Sequence, residues 1–371
     1  MRITSLVLND FRNHAHLQLE FSPGTTTIIG RNGLGKTNIV EAVNYLAVLG
    51  SHRVSQDIPM IRSGVQRAQI AAQISKHDRS ATIDITINSV GTNQVILNGS
   101  SLTRPRDLLG LVHTIVFAPE DLELVKGDPS ARRKYIDDFS VQLTPRYAGV
   151  KQEFERVLKQ RNSLLKSNGR RGLSDAAKTT LETWNELYVS AAADVVEQRL
   201  ASLQLLSDLV SEHGQMLSGN TEPLIVEYSS TWLLDTSKSR EEIINDLRNE
   251  LALRLNDEVE RAMTLVGPHR DDLKVSLSDM PAKGYASHGQ SWSIALAMRL
   301  ATFDVLRQHD DDPILILDDV FAELDEKRRA RLAGAVTGVE QTLITAAVQD
   351  DVPADLDAAV LLLENVSHGA Q

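Results

Sequence analysis

The fold is decided by Gly30-Arg31-Asn32-Gly33-Leu34-Gly35-Lys36-Thr37, which fits the pattern G-x-x-x-x-G-K-[ST] of a phosphate-binding loop. The loop lies between an apolar stretch at residues 25–29 and a segment whose apolar residues recur at helical spacing. Its glycines let several backbone N–H groups point at one anion, and the following helix adds a partial positive charge. A glycine-rich turn that matches by chance is the alternative, and the strand and helix on either side argue against it. We therefore predict a nucleotide site in which Lys36 reaches the terminal phosphates and the Thr37 hydroxyl binds Mg²⁺.

A second stretch near the other end of the chain, Ile314-Leu315-Ile316-Leu317-Asp318-Asp319, supports this interpretation. Four consecutive apolar residues predict a fully buried parallel strand, and open α/β sheets place ligand chemistry at the carboxyl ends of their strands. We expect Asp318 to hold Mg²⁺ opposite Thr37, and Asp319 to act as the general base that polarises the attacking water. The alternative is that one of the two carboxylates caps a turn, and this applies more to Asp319.

The composition is typical of an ordinary globular protein. The 371 residues are enough for two domains, and the hydrophobic content of 42% and charged content of 24% are unexceptional. No apolar run approaches the roughly 18 residues of a membrane span, and the longest, residues 358–363, predicts a buried strand. The absence of cysteine excludes disulfides and thiolate metal sites, and the first residues contain no apolar signal core. We expect a cytoplasmic protein without membrane contact.

The charge is acidic overall but uneven. A net charge of −11 argues against a protein that coats nucleic acid by bulk electrostatics. Residues 146–178, however, contain three acids and nine basic residues: Arg146, Lys151, Arg156, Lys159, Arg161, Lys166, Arg170, Arg171 and Lys178. Such a patch can contact DNA phosphates, and we choose Arg156, Lys159 and Arg161 as candidates. A solvated helix face explains the same pattern equally well.

The remaining patterns predict strands towards both ends of the chain and a helical stretch between them. Strands at residues 2–8 and 16–21 precede the loop, and an antiparallel meander at residues 68–74, 82–87 and 94–97 follows it, with a turn at Asn98-Gly99. From about residue 129 to 263 the pattern is helical. A heptad seam of about three repeats predicts two or three long helices packed antiparallel, and is formed by Ala177, Leu181, Trp184, Tyr188, Ala191 and Val195. Ser239 and Glu242 form a capping box that opens another helix.

The turn Ser287-His288-Gly289-Gln290 opens a helix and has two compatible interpretations. Ser287 at the N-cap and Gln290 three residues later fit a capping box. A helix N-terminus that carries serine and glycine is also an anion site. Two such sites on one chain indicate that the second serves the nucleotide of another protomer.

Taken in order, the phosphate loop, the Ser-x-Gly-Gln helix and the strand that ends in Asp-Asp resemble the ATP-binding-cassette ATPases, in particular their branch with structural-maintenance-of-chromosomes heads. Further stretches narrow the resemblance to the RecF family of bacterial recombination and gap-repair proteins. They are Asn9-Asp10-Phe11-Arg12-Asn13, the loop extended to Asn38, Ser51-His52-Arg53, Pro119-Glu120-Asp121-Leu122, Arg132-Arg133-Lys134-Tyr135-Ile136-Asp137 and Gly267-Pro268-His269-Arg270-Asp271-Asp272.

This resemblance implies an α/β fold with a cassette head, in which a mixed sheet contains an antiparallel meander and a phosphate-loop core, and a mainly helical arm. The head would comprise residues 1–117 and 264–371 and the arm residues 118–263, with the helix at 287–307 associated with the arm. The nucleotide would be ATP with Mg²⁺, held by residues 30–38 of one protomer. The other protomer would contribute the Ser287–Ser291 helix with Ser287, Gly289 and Gln290. Asp325 would be a further nucleotide-binding residue, although an acidic loop after a strand is common. Arg12 and Arg53 would approach the nucleotide, unless either is a surface cation.

The resemblance also implies a function. ATP would drive dimerisation on gapped DNA or on junctions of single-stranded and double-stranded DNA, and RecO and RecR would be partners in loading RecA during gap repair, replication restart and the SOS response. Asp319 stands where cassette ATPases usually carry Glu, Thr345 lies where they place a switch histidine, and Glu120 or Asp121 would stand in for a glutamine loop. These departures predict slow hydrolysis. The alternative is the ATPase subunit of a membrane transporter.

Overall fold

The computed structural model describes residues 1–76, 79–168, 173–219, 221–233, 235–309 and 312–365. Backbone contacts divide the chain into two units. Unit 1 comprises Met1–Val125, Asp208–Pro223 and Ala286–Gln371, and unit 2 comprises Lys126–Ser207 and Leu224–Tyr285. Of the predicted arm, residues 118–125, residues 208–223 and the helix at 287–307 belong to unit 1. Residues 264–285 of the predicted head belong to unit 2.

Fourteen strands and nine helices are present in the described ranges. The strands are β1 (Arg2–Phe11), β2 (His14–Glu20), β3 (Gly24–Ile29), β4 (Arg67–Lys76), β5 (Arg79–Asn88), β6 (Gln94–Leu97), β7 (Ser100–Ser101), β8 (Thr114–Phe117), β9 (Leu224–Ser229), β10 (Asp272–Leu277), β11 (Met280–Pro281), β12 (Ile314–Asp318), β13 (Gln341–Ala346) and β14 (Ala359–Leu362). The helices are α1 (Lys36–Val48), α2 (Glu123–Lys126), α3 (Pro129–Leu143), α4 (Tyr147–Asn168), α5 (Asp175–Ser218), α6 (Arg240–Arg261), α7 (Ala282–Tyr285), α8 (His288–His309) and α9 (Glu326–Val336).

Unit 1 contains a five-stranded parallel sheet in the order β14-β3-β13-β12-β8. Every residue of β12 and β13 is buried, which confirms the predicted buried strand before the paired carboxylates. The prediction of a buried strand at residues 358–363 is wrong, because β14 lies at the edge of the sheet, where Val360 and Leu362 are exposed. An apolar run alone does not distinguish a central strand from an edge strand.

A six-stranded antiparallel sheet, in the order β2-β1-β4-β5-β6-β7, completes unit 1. The predicted meander is confirmed as β4, β5 and β6, and alternate residues such as Ile83, Ile85 and Ile87 enter the core. Positive φ angles at both Asn98 and Gly99 fit the tight hairpin turn that the sequence predicts. Helix α1 packs into the same core through its apolar side.

Unit 2 is built on three long helices, α4, α5 and α6. The predicted seam lies on α5, a helix of 44 residues whose last eleven belong to unit 1, and the seam residues are buried or half-buried. Ser239 accepts a hydrogen bond from the backbone of Glu242, which completes the predicted capping box at the start of α6. A three-stranded antiparallel sheet, β11-β10-β9, belongs to the same unit. None of the helices in the described ranges has the length and apolar character needed to cross a membrane.

Within unit 1, the two sheets are joined by one buried amide side chain. The Nε2 atom of Gln341 donates to the backbone O of Ile3, and its Oε1 atom accepts from the backbone N of Ile3, both at 2.8 Å. Gln341 lies on β13 and Ile3 on β1, and both are fully buried. The side chain therefore supplies hydrogen bonds that a neighbouring strand would otherwise provide.

We expect Gln341→Leu to lower the free energy of unfolding by about 2 kcal/mol, because a leucine leaves the N–H and C=O of Ile3 without these partners. Urea denaturation measures the loss. Thr342→Val is the matched control, since this neighbouring buried hydroxyl has no partner among the described residues and its removal should be neutral or stabilising. Equal effects of the two substitutions would contradict the bridging role.

Candidate nucleotide-binding site

The phosphate-binding loop joins the end of β3 to the start of α1, as the motif predicts. Gly35 is the N-cap of α1 and has a left-handed backbone with φ near 97°. A Cβ atom at this position would lie 2.4 Å from Oδ1 of Asn13 and 2.5 Å from Nε2 of His14. The backbone conformation therefore favours glycine strongly, and any larger residue would also have to displace these two side chains.

Lys36 is 4% exposed and bends back over the loop. Its Nζ atom donates to the backbone O of Gly30 at 2.7 Å and to Oδ1 of Asn32 at 3.3 Å. These two acceptors hold the ammonium group at the centre of the loop, so that the charge is oriented before any phosphate binds.

The two predicted magnesium ligands meet although they are 281 residues apart in the chain. Oγ1 of Thr37 donates to Oδ1 of Asp318 at 3.1 Å. Oγ1 of Thr345, on the neighbouring strand β13, donates to the same carboxylate oxygen at 2.5 Å. A hydroxyl and a carboxylate at this separation are the hard oxygen ligands that Mg²⁺ prefers. The donor set therefore fits the metal that the motif implies.

Burial raises the pKa of Asp318 to about 6, and the charge of Asp319 adds to the rise, although hydrogen bonds from Thr345 and Thr37 lower it. An unfolded aspartate has a pKa near 3.9. Between these values the folded protein binds more protons than the unfolded chain, so its stability falls as pH rises through this window, and the full cost is present above about pH 6.

We therefore expect Asp318→Asn to raise the free energy of unfolding by about 2 kcal/mol at about pH 7.5 in magnesium-free buffer. Asparagine keeps the oxygen that accepts from the two threonines but carries no charge. By about pH 5 the gain should shrink by roughly half, because the wild-type carboxyl is then mostly protonated. Denaturant unfolding at both pH values measures this difference, and a gain independent of pH would contradict the assignment.

Asp319 begins the turn that follows β12, with a left-handed backbone at φ near 52°. Its backbone N–H donates to Oγ1 of Thr345 at 2.9 Å, and its side chain makes no capping hydrogen bond. Burial raises the pKa of Asp319, whereas the charge of Lys36 lowers it. The Asp319 side chain therefore does not cap this turn. Asp319 instead lines a cavity over the phosphate-binding loop.

A cavity of about 310 Å³ lies over the loop. This volume is at the lower end of the range for small-molecule sites. The cavity is lined by Asn13, Asn32, Gly33, Gly35, Lys36, Thr37, Asn38, Arg53 and Asp319. The loop, the Asn38 that follows it and the second carboxylate thus share one cavity. Asn13 was missed as a site residue, although it stands next to Arg12 in a quoted motif.

The structure distinguishes the two arginines that the sequence left open. Arg12 donates to Glu41 through Nε at 2.8 Å and Nη2 at 2.5 Å, and does not line the cavity. Arg53 does line it, and its Nη1 atom donates to Oδ1 of Asn38 at 2.9 Å. Burial would raise the pKa of the fully buried Glu41, but hydrogen bonds from Arg12 and Ser51 outweigh burial and lower it. In this structure the guanidinium of Arg12 is paired with Glu41, and its contact with the nucleotide stays a prediction.

Glu120 and Asp121 also differ from each other. Asp121 accepts from the backbone N of Ala118 and from Nη2 of Arg299 at 2.6 Å, and it is buried. Glu120 lies 3.6 Å from Nε of Arg53. Asp121 therefore has a structural role. Glu120, which lies beside the site, is the better candidate for the position of the glutamine loop.

The turn at Ser287–Gln290 forms the predicted capping box. The backbone N of Ser287 donates to Oε1 of Gln290 at 2.9 Å, and the backbone N of Gln290 donates to Oγ of Ser287 at 3.3 Å. Asp325 caps α9 by accepting from the backbone N of Arg328 at 2.9 Å. Neither segment lines the cavity over the phosphate loop of its own chain.

The predicted DNA contacts require one correction. Arg161 is fully buried and pairs with Glu258 at 2.5 Å, with further hydrogen bonds to Thr264 and Asn185. It lies on the inner side of α4, together with the buried Phe154, Val157 and Leu165. Arg156 and Lys159 are exposed, and Arg156 pairs with Glu153. Arg170 and Arg171 lie outside the described residues.

The chain is similar to known proteins over almost its whole length. The family description "RecF/RecN/SMC N terminal domain" matches residues 2–363. The "DNA replication and repair protein RecF" of Streptomyces avermitilis is 47% identical over 356 residues, which are 95% of each chain. The solved "recombination mediator protein RecF-ATP in RecFOR pathway" is 27% identical with a TM-score of 0.89, and the match covers 98% of this chain and 96% of that one. An Smc head bound to the C-winged helix domain of ScpA is 18% identical over 94% and 90% of the two chains, with a TM-score of 0.52 that indicates a shared ATPase-head fold.

Proposed function

This chain belongs to the RecF family of DNA replication and repair proteins, and from that membership we propose that it is an ATP-dependent DNA-binding protein of recombinational gap repair, replication restart and the SOS response. In this proposal, ATP brings two copies together on gapped DNA or on a junction of single-stranded and double-stranded DNA. With RecO and RecR, the dimer promotes loading of RecA in the cytoplasm, and slow hydrolysis of ATP resets it.

The observation that carries the proposal is the meeting of Lys36, Thr37, Asp318 and Asp319 at one site from opposite ends of the chain. In this arrangement Lys36 binds the terminal phosphates, and the backbone N–H groups of the loop bind the others. Thr37 and Asp318 would hold Mg²⁺, which neutralises phosphate charge when it is bound. The site thus combines phosphate binding with a carboxylate positioned for proton transfer.

Asp319 is the proposed general base. Its raised pKa and the position of its side chain at the cavity suit a group that accepts a proton from water. Aspartate is one methylene shorter than the glutamate usual in cassette ATPases, so it orients that water less closely. This difference supports slow hydrolysis of ATP, which would set the lifetime of the ATP-bound complex and would not drive repeated motor strokes.

We propose Arg53 as a phosphate contact beside the loop, and Arg12 remains a second candidate. Arg53 lines the cavity and is one-third exposed, and it is held by Asn38 and by the nearby carboxylates of Glu41 and Glu120. A guanidinium can donate to two phosphate oxygens at once, which suits a triphosphate.

We propose that Ser287, Gly289, Gln290 and Asp325 serve the nucleotide of a second copy. Their absence from the lining of the cavity in their own chain supports this assignment. One triphosphate would then contact two protomers, and the dimer would depend on ATP. Arg156 and Lys159 remain candidates for DNA contact, with Arg161 withdrawn.

The transporter alternative is not favoured. The curated relative that matches 95% of this chain is a DNA replication and repair protein, and the match spans the helical insertion as well as the head. Salt-dependent DNA binding would distinguish the two functions, because DNA binding weakens with salt through counterion release.

Asp319→Asn tests the proposal. We expect this variant to bind ATP and form the ATP-dependent dimer, and to lose most of its turnover because the amide accepts no proton from water. Sedimentation velocity with and without ATP and Mg²⁺ measures association, and titration of a fluorescent gapped duplex at several salt concentrations measures DNA binding. Asp350→Asn is the control, because this nearby exposed acid is not among the groups that shift the pKa of Asp319.

Two results would contradict the proposal. Unchanged hydrolysis by Asp319→Asn would remove this residue from the role of base. A wild-type protein that stays monomeric with ATP and Mg²⁺, and binds gapped DNA no more tightly than without them, would overturn the ATP-dependent clamp.

A further inference from the structure

Arg328, on the first turn of α9, contacts both segments that we propose to meet the nucleotide of a second copy. Its Nε atom donates to Oγ of Ser293 on α8 at 3.0 Å. Its Nη1 atom donates to the carboxylate of Asp325. One guanidinium group therefore joins the Asp325 turn to the first turns of α8.

Gly289 leaves the space that the guanidinium occupies in this contact. A Cβ atom on Gly289 would lie 2.8 Å from Nη1, 3.0 Å from Nη2 and 3.1 Å from Cζ of Arg328. Gly289 lies inside α8 and does not have the positive φ that would itself require glycine. Glycine in a helix costs about 1 kcal/mol relative to alanine, so its presence needs another cause. The guanidinium of Arg328, which occupies the space of a side chain, is such a cause within a single protomer.

The geometry of the contact indicates a role in positioning more than in stability. The Arg328 side chain is 25% exposed and that of Asp325 is 54% exposed, and ion pairs at such exposure contribute little to folding. The cap of α9 uses the backbone N–H of Arg328, which any residue at this position other than proline retains. Hydrogen bonds from Arg328 lower the pKa of Asp325, and burial opposes this effect without cancelling it. The planar guanidinium fixes the direction of two hydrogen bonds at once, which an ammonium group cannot do.

We propose that Arg328 is a positioning residue that holds the Asp325 turn and the Ser287–Ser291 turn as one surface, and that a side chain at Gly289 would displace its guanidinium from that position. This inference rests on the proposed function, because the surface acts on the nucleotide of a second copy. It assigns to Gly289 a role inside its own chain, in addition to leaving room for a phosphate. Arg328 itself need not touch the nucleotide.

A double-mutant cycle tests the proposal with Arg328→Ala, Gly289→Ala and the two combined. The readouts are ATP affinity at protein concentrations below dimerisation, ATP-dependent self-association by sedimentation, kcat and KM for hydrolysis, and the thermal midpoint. We expect Arg328→Ala to weaken ATP-dependent association at least tenfold and to lower kcat. The ATP affinity of the single protomer should stay within about twofold of the wild type, because the phosphate loop is unchanged.

Gly289→Ala should weaken association to a similar degree in the wild-type background. It should add little in the background of the Arg328→Ala variant, where the added methyl group meets no guanidinium. Arg328→Lys should not restore association, because lysine lacks the planar fork. Lys327→Ala, an exposed neighbour on the same helix, is the matched control and should behave as the wild type.

Three results would overturn the inference. The first is an equal loss from Gly289→Ala in both backgrounds, which would assign the glycine to the incoming nucleotide alone. The second is full rescue by lysine. The third is a lowered thermal midpoint for Arg328→Ala with unchanged association, which would make the contact merely structural. A wild-type protein that does not self-associate in the presence of ATP would instead refute the proposed function. Failure of this inference and failure of the proposed function are therefore distinguishable.

Discussion

Lys36→Ala is expected to raise the Kd for ATP by about two orders of magnitude. The Lys36 ammonium is held at the centre of the loop by Gly30 and Asn32, and it is almost fully buried. Removing one partner of a desolvated charge pair costs about 2–5 kcal/mol, and about 1.4 kcal/mol corresponds to a tenfold change in affinity. Titration with a fluorescent ATP analogue measures the change.

Arg31→Ala is the matched control for this experiment. Arg31 belongs to the same loop, but its side chain is 88% exposed and pairs only with the exposed Glu364 among the described residues. Its backbone contribution survives the substitution, so its Kd should stay within about threefold of the wild type, as for other exposed ion pairs. In a thermal shift assay, saturating ATP should raise the thermal midpoint of the Arg31→Ala variant but not that of the Lys36→Ala variant. A Lys36→Ala variant that binds ATP normally would refute the site.

The second large effect is expected in unit 2, from Arg161→Ala. This substitution leaves the fully buried Glu258 without its charged partner and also removes hydrogen bonds to Thr264 and Asn185. Breaking a buried ion pair from one side costs about 3–5 kcal/mol, which is a large share of the stability of a typical domain. Denaturant unfolding followed by circular dichroism, which reports the loss of helix, measures the decrease in stability.

Two comparisons make this prediction specific. Arg156→Ala, five residues earlier on α4, should cost less than about 1 kcal/mol, because Arg156 is exposed and its ion pair is with Glu153 on its own helix. The double variant Arg161→Met with Glu258→Leu should recover much of the lost stability, because neither partner then remains as a buried charge. A similar cost for Arg156→Ala and Arg161→Ala would contradict the burial of the Arg161 pair.

The same pair of variants addresses DNA binding. A fully buried guanidinium releases no counterions from DNA, so a folded Arg161 variant should keep the wild-type salt slope. Any decrease in slope should come from Arg156 or Lys159. Of the three candidate DNA contacts, only Arg156 and Lys159 are exposed, so the test applies to these two residues.

The sequence predicted elements whose signals are local. The meander follows from alternation of apolar residues, the turn at Asn98-Gly99 from residues that tolerate positive φ, and the start of α6 from a capping box only four residues long. The phosphate loop belongs to this class, because its glycines and the helix that follows it are adjacent in the chain. The pairing of Thr37 with Asp318 was predicted across 281 residues only because each lies at a defined end of a recognisable strand or helix.

The errors fall where an outcome depends on a partner distant in the chain. The edge position of β14 depends on the order of strands in the sheet, which an apolar run does not record. The buried state of Arg161 depends on Glu258, 97 residues away, and charged residues are rarely buried without such a partner. The surroundings of Arg12 and Arg53, between which the sequence did not distinguish, likewise depend on distant partners, such as Glu41, which lies 29 residues from Arg12.

By itself, the amino-acid sequence determined the phosphate loop, the strands around it and the helical stretch between them, because loops, caps and periodicities are set by neighbouring residues. Only the tertiary structure decided which cations are free to meet a ligand and which are held inside. It also decided that Gly289 lies against Arg328, since charge pairing and close packing depend on distances in space that residue spacing does not encode.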